Sequence, residues 1–157
     1  MPFGGDDKAA KAINDVVVSD LTRTGLFRLI DASDKTPHEA REVNYTDWQG
    51  RGAEALAVGN VTVAAKRVEV NFQLLDAVKQ TILDSKVVSS PDGQLRAVGH
   101  RVADLIYEKL TGDKGVFSTR IAYVNRQGKK FRLVVADSDG ENEQALLTQN
   151  APIMSPA

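Results

Sequence analysis

The sequence predicts an α/β (α+β) two-layer sandwich, with two long helices packed on one face of a mixed β-sheet and an incomplete strand hairpin after it. Residues 6–25 and 90–112 each carry one apolar stripe at the 3.6-residue period. Between them, residues 54–89 hold the most strand-like tract of the chain. Amphipathic helices and half-buried strands are satisfied together when both helices cover one face of a sheet, leaving the other face mostly polar.

In the first helix Ile13, Val16, Val17 and Leu21 form the stripe, with Ala9 and Ala10 one turn earlier. Asp6 and Asp7 stand where carboxylates satisfy free N–H groups, Arg23 lies in the last turn, and Gly25 suits a helix end. Leu26–Ile30 (LFRLI) is an apolar run of strand length, Asp31 to Asn44 reads as a polar loop, and Tyr45 to Gly52 as a short helix. Three strands follow, separated by polar turns near residues 65–67 and 76–79. The middle one alternates Val68, Val70, Phe72 and Leu74 with Glu69, Asn71 and Gln73, the pattern of an antiparallel meander. Ser90 and Pro91 open the second long helix, which carries Leu95, Val98, Val102, Leu105, Ile106 and Leu110 and closes at Gly112. Met1, Pro2 and Phe3 read as the last residues of a strand, so the chain is expected to start in mid-fold.

After Gly112 the texture changes. Residues 113–119 read as a linker, and Arg120–Val124 and Phe131–Ala136 as strands joined by a turn at Arg126, Gln127 and Gly128, with one more short apolar run before Pro152. An isolated hairpin is marginal in water, so residues 120–157 call for a larger partner surface.

Composition narrows the function. Lys plus Arg number 20 against 21 Asp plus Glu, a net charge of −1, so the chain lacks the positive field that general nucleic-acid binding draws on. With no cysteine, disulfides, thiolate zinc sites and cysteine nucleophiles are excluded together. No stretch has the length and apolarity of a membrane-spanning helix, and MPFGGDDKAAK lacks the basic start and apolar run of a signal peptide.

The stretches RVADLIYEKLTGDKGVFSTRIAYV (Arg101 to Val124), ADSDGENEQALLTQNAPIMSP (Ala136 to Pro156) and SDLTRTGLFRLID (Ser19 to Asp31), with the tract around Trp48 and from Gly52 to Gly59, resemble the TolB family of the Tol-Pal envelope system. The resemblance covers essentially the whole chain. It implies an N-terminal α/β domain over 1–112, a linker over 113–119, and over 120–157 a partial first blade of a six-bladed β-propeller. It also implies that a secretion signal and a short segment precede the first strand, so that this chain is a truncated fragment. The partners it implies are TolA, through the N-terminal segment, and the lipoprotein Pal, through the propeller. The location it implies is the periplasm, with membrane association only through partners.

No catalytic, metal or cofactor constellation emerges from the residues. His100, Asp104 and Glu108 are spaced i, i+4, i+8, which would allow a metal cluster, but the simpler reading is a solvated polar face opposite the stripe. His38 sits in a polar loop with no nucleophile at a diagnostic spacing. Asp137–Gly140 (DSDG) places its glycine too early for a calcium loop and reads as a tight turn. FGGDDK lacks the GxxxxGK pattern of a phosphate loop, and its two acidic residues would repel a phosphate. Lys66 and Arg67, and Lys129, Lys130 and Arg132, read as solvated turn and edge residues, and Trp48 as a core residue.

The resemblance implies a non-enzymatic protein-interaction component of the Tol-Pal system that supports outer-membrane integrity and envelope invagination in cell division, and the absence of any such constellation agrees with it. It needs no cofactor. The candidate partner-binding residues are Met1, Pro2 and Phe3, the remnant of an N-terminal strand, and an exposed sheet edge there predicts pairing with a partner strand or a second copy. The alternative is a small nucleic-acid-binding module, by fold analogy with anticodon-binding domains.

Overall fold

A computed structural model describes residues 3–32 and 36–153. The chain forms two compact units, residues 1–115 and 116–157. In the first, the order is β1 (Gly4–Gly5), α1 (Asp7–Arg23), a 3-10 turn (Ala40–Glu42), α2 (Tyr45–Gly50), β2 (Ala55–Ala64), β3 (Arg67–Asp76), β4 (Thr81–Pro91) and α3 (Leu95–Thr111). The sheet runs β1-β2-β3-β4. β1 is parallel to β2, and the other pairs are antiparallel hairpins. A parallel pair needs a long crossover, which α1, the loop and α2 supply.

α1 forms where the sequence places it. The Asp6 carboxylate accepts the Ala9 N–H at 2.9 Å, Thr24 closes the other end by donating its hydroxyl to the Leu21 carbonyl, and the predicted stripe is buried. α3 begins four residues later than Pro91. Pro91 ends β4 instead, an edge position where its absent N–H costs no ladder bond, and Asp92 donates its N–H to the Lys66 carbonyl before the helix starts. The two long helices approach closely because Gly99 has no side chain: a Cβ there would stand 2.7 Å from the Val16 Cβ.

Register assigns the faces of the sheet. Ala57, Gly59 and Val61 of β2 share a face with Leu74, Phe72 and Val70 of β3, and this is the helix-covered face. The opposite face is polar over its outer part, where Asn71 donates to Glu69 and Gln73 to Ser85. At the α2 end, however, it carries a second small core, in which Trp48 packs with Ala32, Val43, Ala53, Leu56, Val58 and Leu75. Leu26–Ile30 is not a strand; it runs without ladder pairing among the described residues, its Leu26 and Leu29 exposed and its Ile30 packed on the Trp48 core.

The second unit is a three-stranded antiparallel sheet, β5 (Arg120–Gln127), β6 (Lys130–Asp137) and β7 (Gln144–Gln149), in that order. The β5–β6 turn centres on Gly128 and Lys129, later than the residues predicted for it. Within this unit Val134 and Ala136 are fully buried. The Tyr123 hydroxyl donates to the Glu143 carboxylate, and this hydrogen bond, with some loss of solvent, pushes the Tyr123 pKa above its ordinary value.

Two backbone positions generate stability predictions. The β2–β3 turn places Ala65 (φ 50°) and Lys66 (φ 61°) both in the left-handed region, the form of a type I′ turn, without the glycine such turns favour. Lys66→Gly is expected to raise stability by about 0.5–1 kcal/mol in urea unfolding, since relief of left-handed strain exceeds the entropy cost of glycine; an unchanged or lower midpoint would show that the turn is unstrained. Gly5 (φ 96°) is the opposite case, for a Cβ there would stand 2.0 Å from the Val61 carbonyl oxygen. Gly5→Ala is expected to lower stability by about 1–3 kcal/mol. Gly50→Ala, in open space at an ordinary φ, should leave stability unchanged or raise it by up to about 1 kcal/mol.

Candidate functional site: an unpaired sheet edge

Among the described residues, β2 is hydrogen-bonded along one edge and over only a small part of the other. Its contact with β1 is limited to Gly4↔Asn60 and Gly5↔Val61, and Asp6 donates its N–H to the Val61 carbonyl at 3.0 Å. On β2, therefore, odd-numbered residues direct their backbone groups toward β1. Even-numbered residues direct theirs toward β3, as the Glu54 carbonyl shows by accepting the Ala77 N–H at 2.8 Å. The N–H and C=O groups of Ala55 and Ala57 face the side ahead of the start of β1, where no other strand pairs with them among the described residues.

That side is a groove of about 870 Å³. Leu56 and Ala57 of β2 form one wall and Leu26–Ala32 the other, and the lining also takes in Val17 and Leu21 of α1 and Ile106 of α3 on one side, and Trp48 and Ala53 on the other. The Leu26–Ala32 wall is held in place at two points. The Phe27 ring packs edge-on against Tyr107, with centroids 6.1 Å apart, and Ile30 and Ala32 enter the Trp48 core. Arg51 lies over the Trp48 ring at 4.9 Å.

Of the residues expected to bind a partner, Met1 and Pro2 lie outside the described residues. Phe3 is buried at the closed end of the groove, its ring 6.3 Å from that of Phe72. It anchors β1 instead of offering a free side chain. His38 is more than a loop residue: its ring stands over β1, where a Cβ on Gly4 would come within 2.7 Å of it. The backbone N–H groups of His38 and Glu39 donate to the Glu42 carboxylate, which holds the Glu42 pKa below the usual carboxylate range.

The solvated face predicted for His100, Asp104 and Glu108 is corrected. Glu108 is exposed, but His100 and Asp104 are buried. His100 Nδ1 lies 2.6 Å from Asp20 Oδ2, and Arg23 donates to Asp20 Oδ1 at 2.8 Å. Asp20 was not among the predicted candidates, yet it sits inside the stripe between Val17 and Leu21, and a carboxylate in an apolar stripe signals a buried partner. These residues join α1 to α3. Asp137–Gly140 forms the predicted turn, in which the Gly140 N–H donates to the Asp137 carbonyl and Asn142 to the Asp137 carboxylate. Lys66 and Arg67 lie at the β2–β3 turn, with Arg67 bonded to Ser89, and Lys129 and Lys130 at the β5–β6 turn. No helix of the described residues is long and apolar enough to cross a membrane.

Comparison with known proteins places this arrangement. The TolB amino-terminal domain family matches residues 1–83 and the TolB beta propeller domain family matches residues 107–157. The Tol-Pal system protein TolB of Nitrosospira multiformis is 50% identical over 159 residues, covering 100% of this chain and 36% of that protein. That of Nitrosomonas europaea is 47% identical, covering 99% of this chain and 37% of that protein. The crystal structure of TolB from Acinetobacter baumannii superposes with a TM-score of 0.83 at 35% identity, over 99% of this chain and 39% of that one. The chain thus spans little more than a third of the length of these relatives. It belongs to the TolB family.

Proposed function

We propose that this chain is a non-enzymatic protein-interaction component of the Tol-Pal cell-envelope system, working in the periplasm to support outer-membrane integrity and envelope invagination in cell division. The observation that carries this reading is the match to Tol-Pal system proteins over the whole chain, in both of its units. On this reading residues 1–112 are the N-terminal α/β domain, 113–119 a linker, and 120–157 the start of a propeller blade. A blade has four strands, and β5, β6 and β7 supply three.

The partners on this reading are TolA, met through the N-terminal segment that precedes the first strand, and Pal, met through the propeller, both contacts lying largely outside this chain. Contact with the membrane is through those partners alone. The structural support is the edge of β2 ahead of the start of β1, which no other strand pairs among the described residues and which is suited to strand pairing with a partner or with a second copy. The nucleic-acid reading gains nothing comparable, because the basic residues are dispersed over separate hairpin turns.

An NMR titration tests the proposal. Adding the C-terminal domain of TolA to the isotope-labelled chain is expected to shift amides of β1 and of Ala55–Gly59, and adding Pal to shift amides within β5–β7. No shift from either partner at millimolar concentration would overturn the interaction reading for this chain.

A further inference from the structure

We propose that the backbone step from Asp92 to Gly93 is a covalent modification site, at which Asp92 passes through a cyclic succinimide to isoaspartate in the folded chain. The sequence holds two Asp–Gly steps, Asp92–Gly93 and Asp139–Gly140, and the structure distinguishes them.

The reaction sets the requirements. The Gly93 amide nitrogen attacks the carboxyl carbon of protonated Asp92; a C–N bond forms, the carboxyl C–O bond breaks, and the hydroxyl leaves as water with the amide proton. Water then opens the ring at either carbonyl. Attack at the side-chain carbonyl restores aspartate, whereas attack at the main-chain carbonyl leaves the backbone running through the former side chain, one carbon longer. One water is lost and one regained, so no other reactant is consumed. The chemistry therefore calls for a nitrogen held against its neighbour's carboxyl group, a peptide plane free to turn, and access for water.

Asp92–Gly93 meets all three. It forms the corner between β4 and α3, where the Gln94 N–H closes a turn on the Pro91 carbonyl at 3.3 Å. The Gly93 N–H donates to Asp92 Oδ1 at 2.8 Å, so the nucleophile and the carboxyl group are in contact. Gly93 has a φ of 88° and no non-neighbouring atom within 4 Å of where a side chain would stand, which leaves the peptide plane between the two residues room to turn. Both residues are exposed. The main-chain anchor of Asp92, its N–H on the Lys66 carbonyl at 2.8 Å, lies upstream of the bond that must rotate.

Asp139–Gly140 is placed differently. Its Gly140 N–H is committed to the Asp137 carbonyl at 2.9 Å, and the Asp139 carboxylate accepts the Glu141 N–H at 3.1 Å. Asp84 shows that the contact alone is insufficient. There the Ser85 N–H donates to Asp84 Oδ1 at 2.9 Å, but both residues are held in the β3–β4 ladder and Lys86 lies 3.2 Å from the carboxylate. The product at Asp92 carries a free isoaspartyl α-carboxylate at the sheet-to-helix corner, the chemical group that isoaspartyl methyltransferases esterify.

The test incubates the full chain for several weeks at neutral pH and physiological temperature, beside two capped peptides that carry the same steps without the fold, acetyl-Ser-Ser-Pro-Asp-Gly-Gln-Leu-amide and acetyl-Ala-Asp-Ser-Asp-Gly-Glu-Asn-amide. Isoaspartate is counted by methyl acceptance and located by peptide mapping. Asp92 in the chain is expected to isomerise within tenfold of the rate of its peptide, and Asp139 at least tenfold more slowly than its own. Asp92→Glu, whose longer side chain closes an imide ring far more slowly, should remove the signal from that position. Retardation of Asp92 by more than tenfold, or equal retardation of both steps by the fold, would overturn the proposal. So would a rate at Asp92 that rises in dilute urea in proportion to the unfolded fraction, which would assign the reaction to unfolded molecules. Because these comparisons use the unaltered chain, they decide the matter even where Asp92→Glu fails to fold.

Discussion

The first unit is organised by the demand that β2 places on its surroundings. Its side chains are buried in two directions, with Val61 toward the helices and Leu56 and Val58 toward Trp48, yet among the described residues its backbone is fully paired on one side only. A backbone group kept from water without a partner costs about 1–3 kcal/mol, so the outward groups of Ala55 and Ala57 are tolerable only where water or another strand reaches them. The open groove meets that condition.

Around that groove the unit is rigid where it needs to be. The β1 stub is pinned by Phe3 on Phe72, by the contact of Gly5 with the Val61 carbonyl, and by the His38 ring above Gly4. On the helix side, the pairing of His100 with Asp20, reinforced by Arg23, sets the helices at the short distance Gly99 allows. Leaving a buried polar side chain without its hydrogen-bond partner costs about 1–3 kcal/mol, so this buried contact fixes the helix layer more firmly than a surface ion pair such as Lys11–Asp15 would.

Much of this was legible in the sequence, and the lapses have physical causes. Both long helices, the meander and the cap at Asp6 followed from period and end signals, because those act over a few neighbouring residues. The start of α3 was misplaced because Ser90 and Pro91 satisfy an edge-strand end as well as a helix start. LFRLI has strand composition but no ladder, and pairing is a property of neighbours in space that composition does not encode. His100 was read as solvated because its partner Asp20 lies 80 residues away, although a carboxylate within the α1 stripe was a visible signal. The expectation of an exposed sheet edge near Phe3 came from Met1–Phe3 reading as a strand end, whereas the two-sided apolar lining of the groove emerges only once Trp48 and the helices converge on it.

The most direct test of the central claim is amide hydrogen exchange along β2 in the free protein. The account predicts an alternation: Leu56 and Val58, bonded to β3, exchange slowly, while Ala55 and Ala57, facing the groove, exchange at least a hundredfold faster. Uniform protection of all four amides would contradict it, since it would mean that the edge described here as open is already paired.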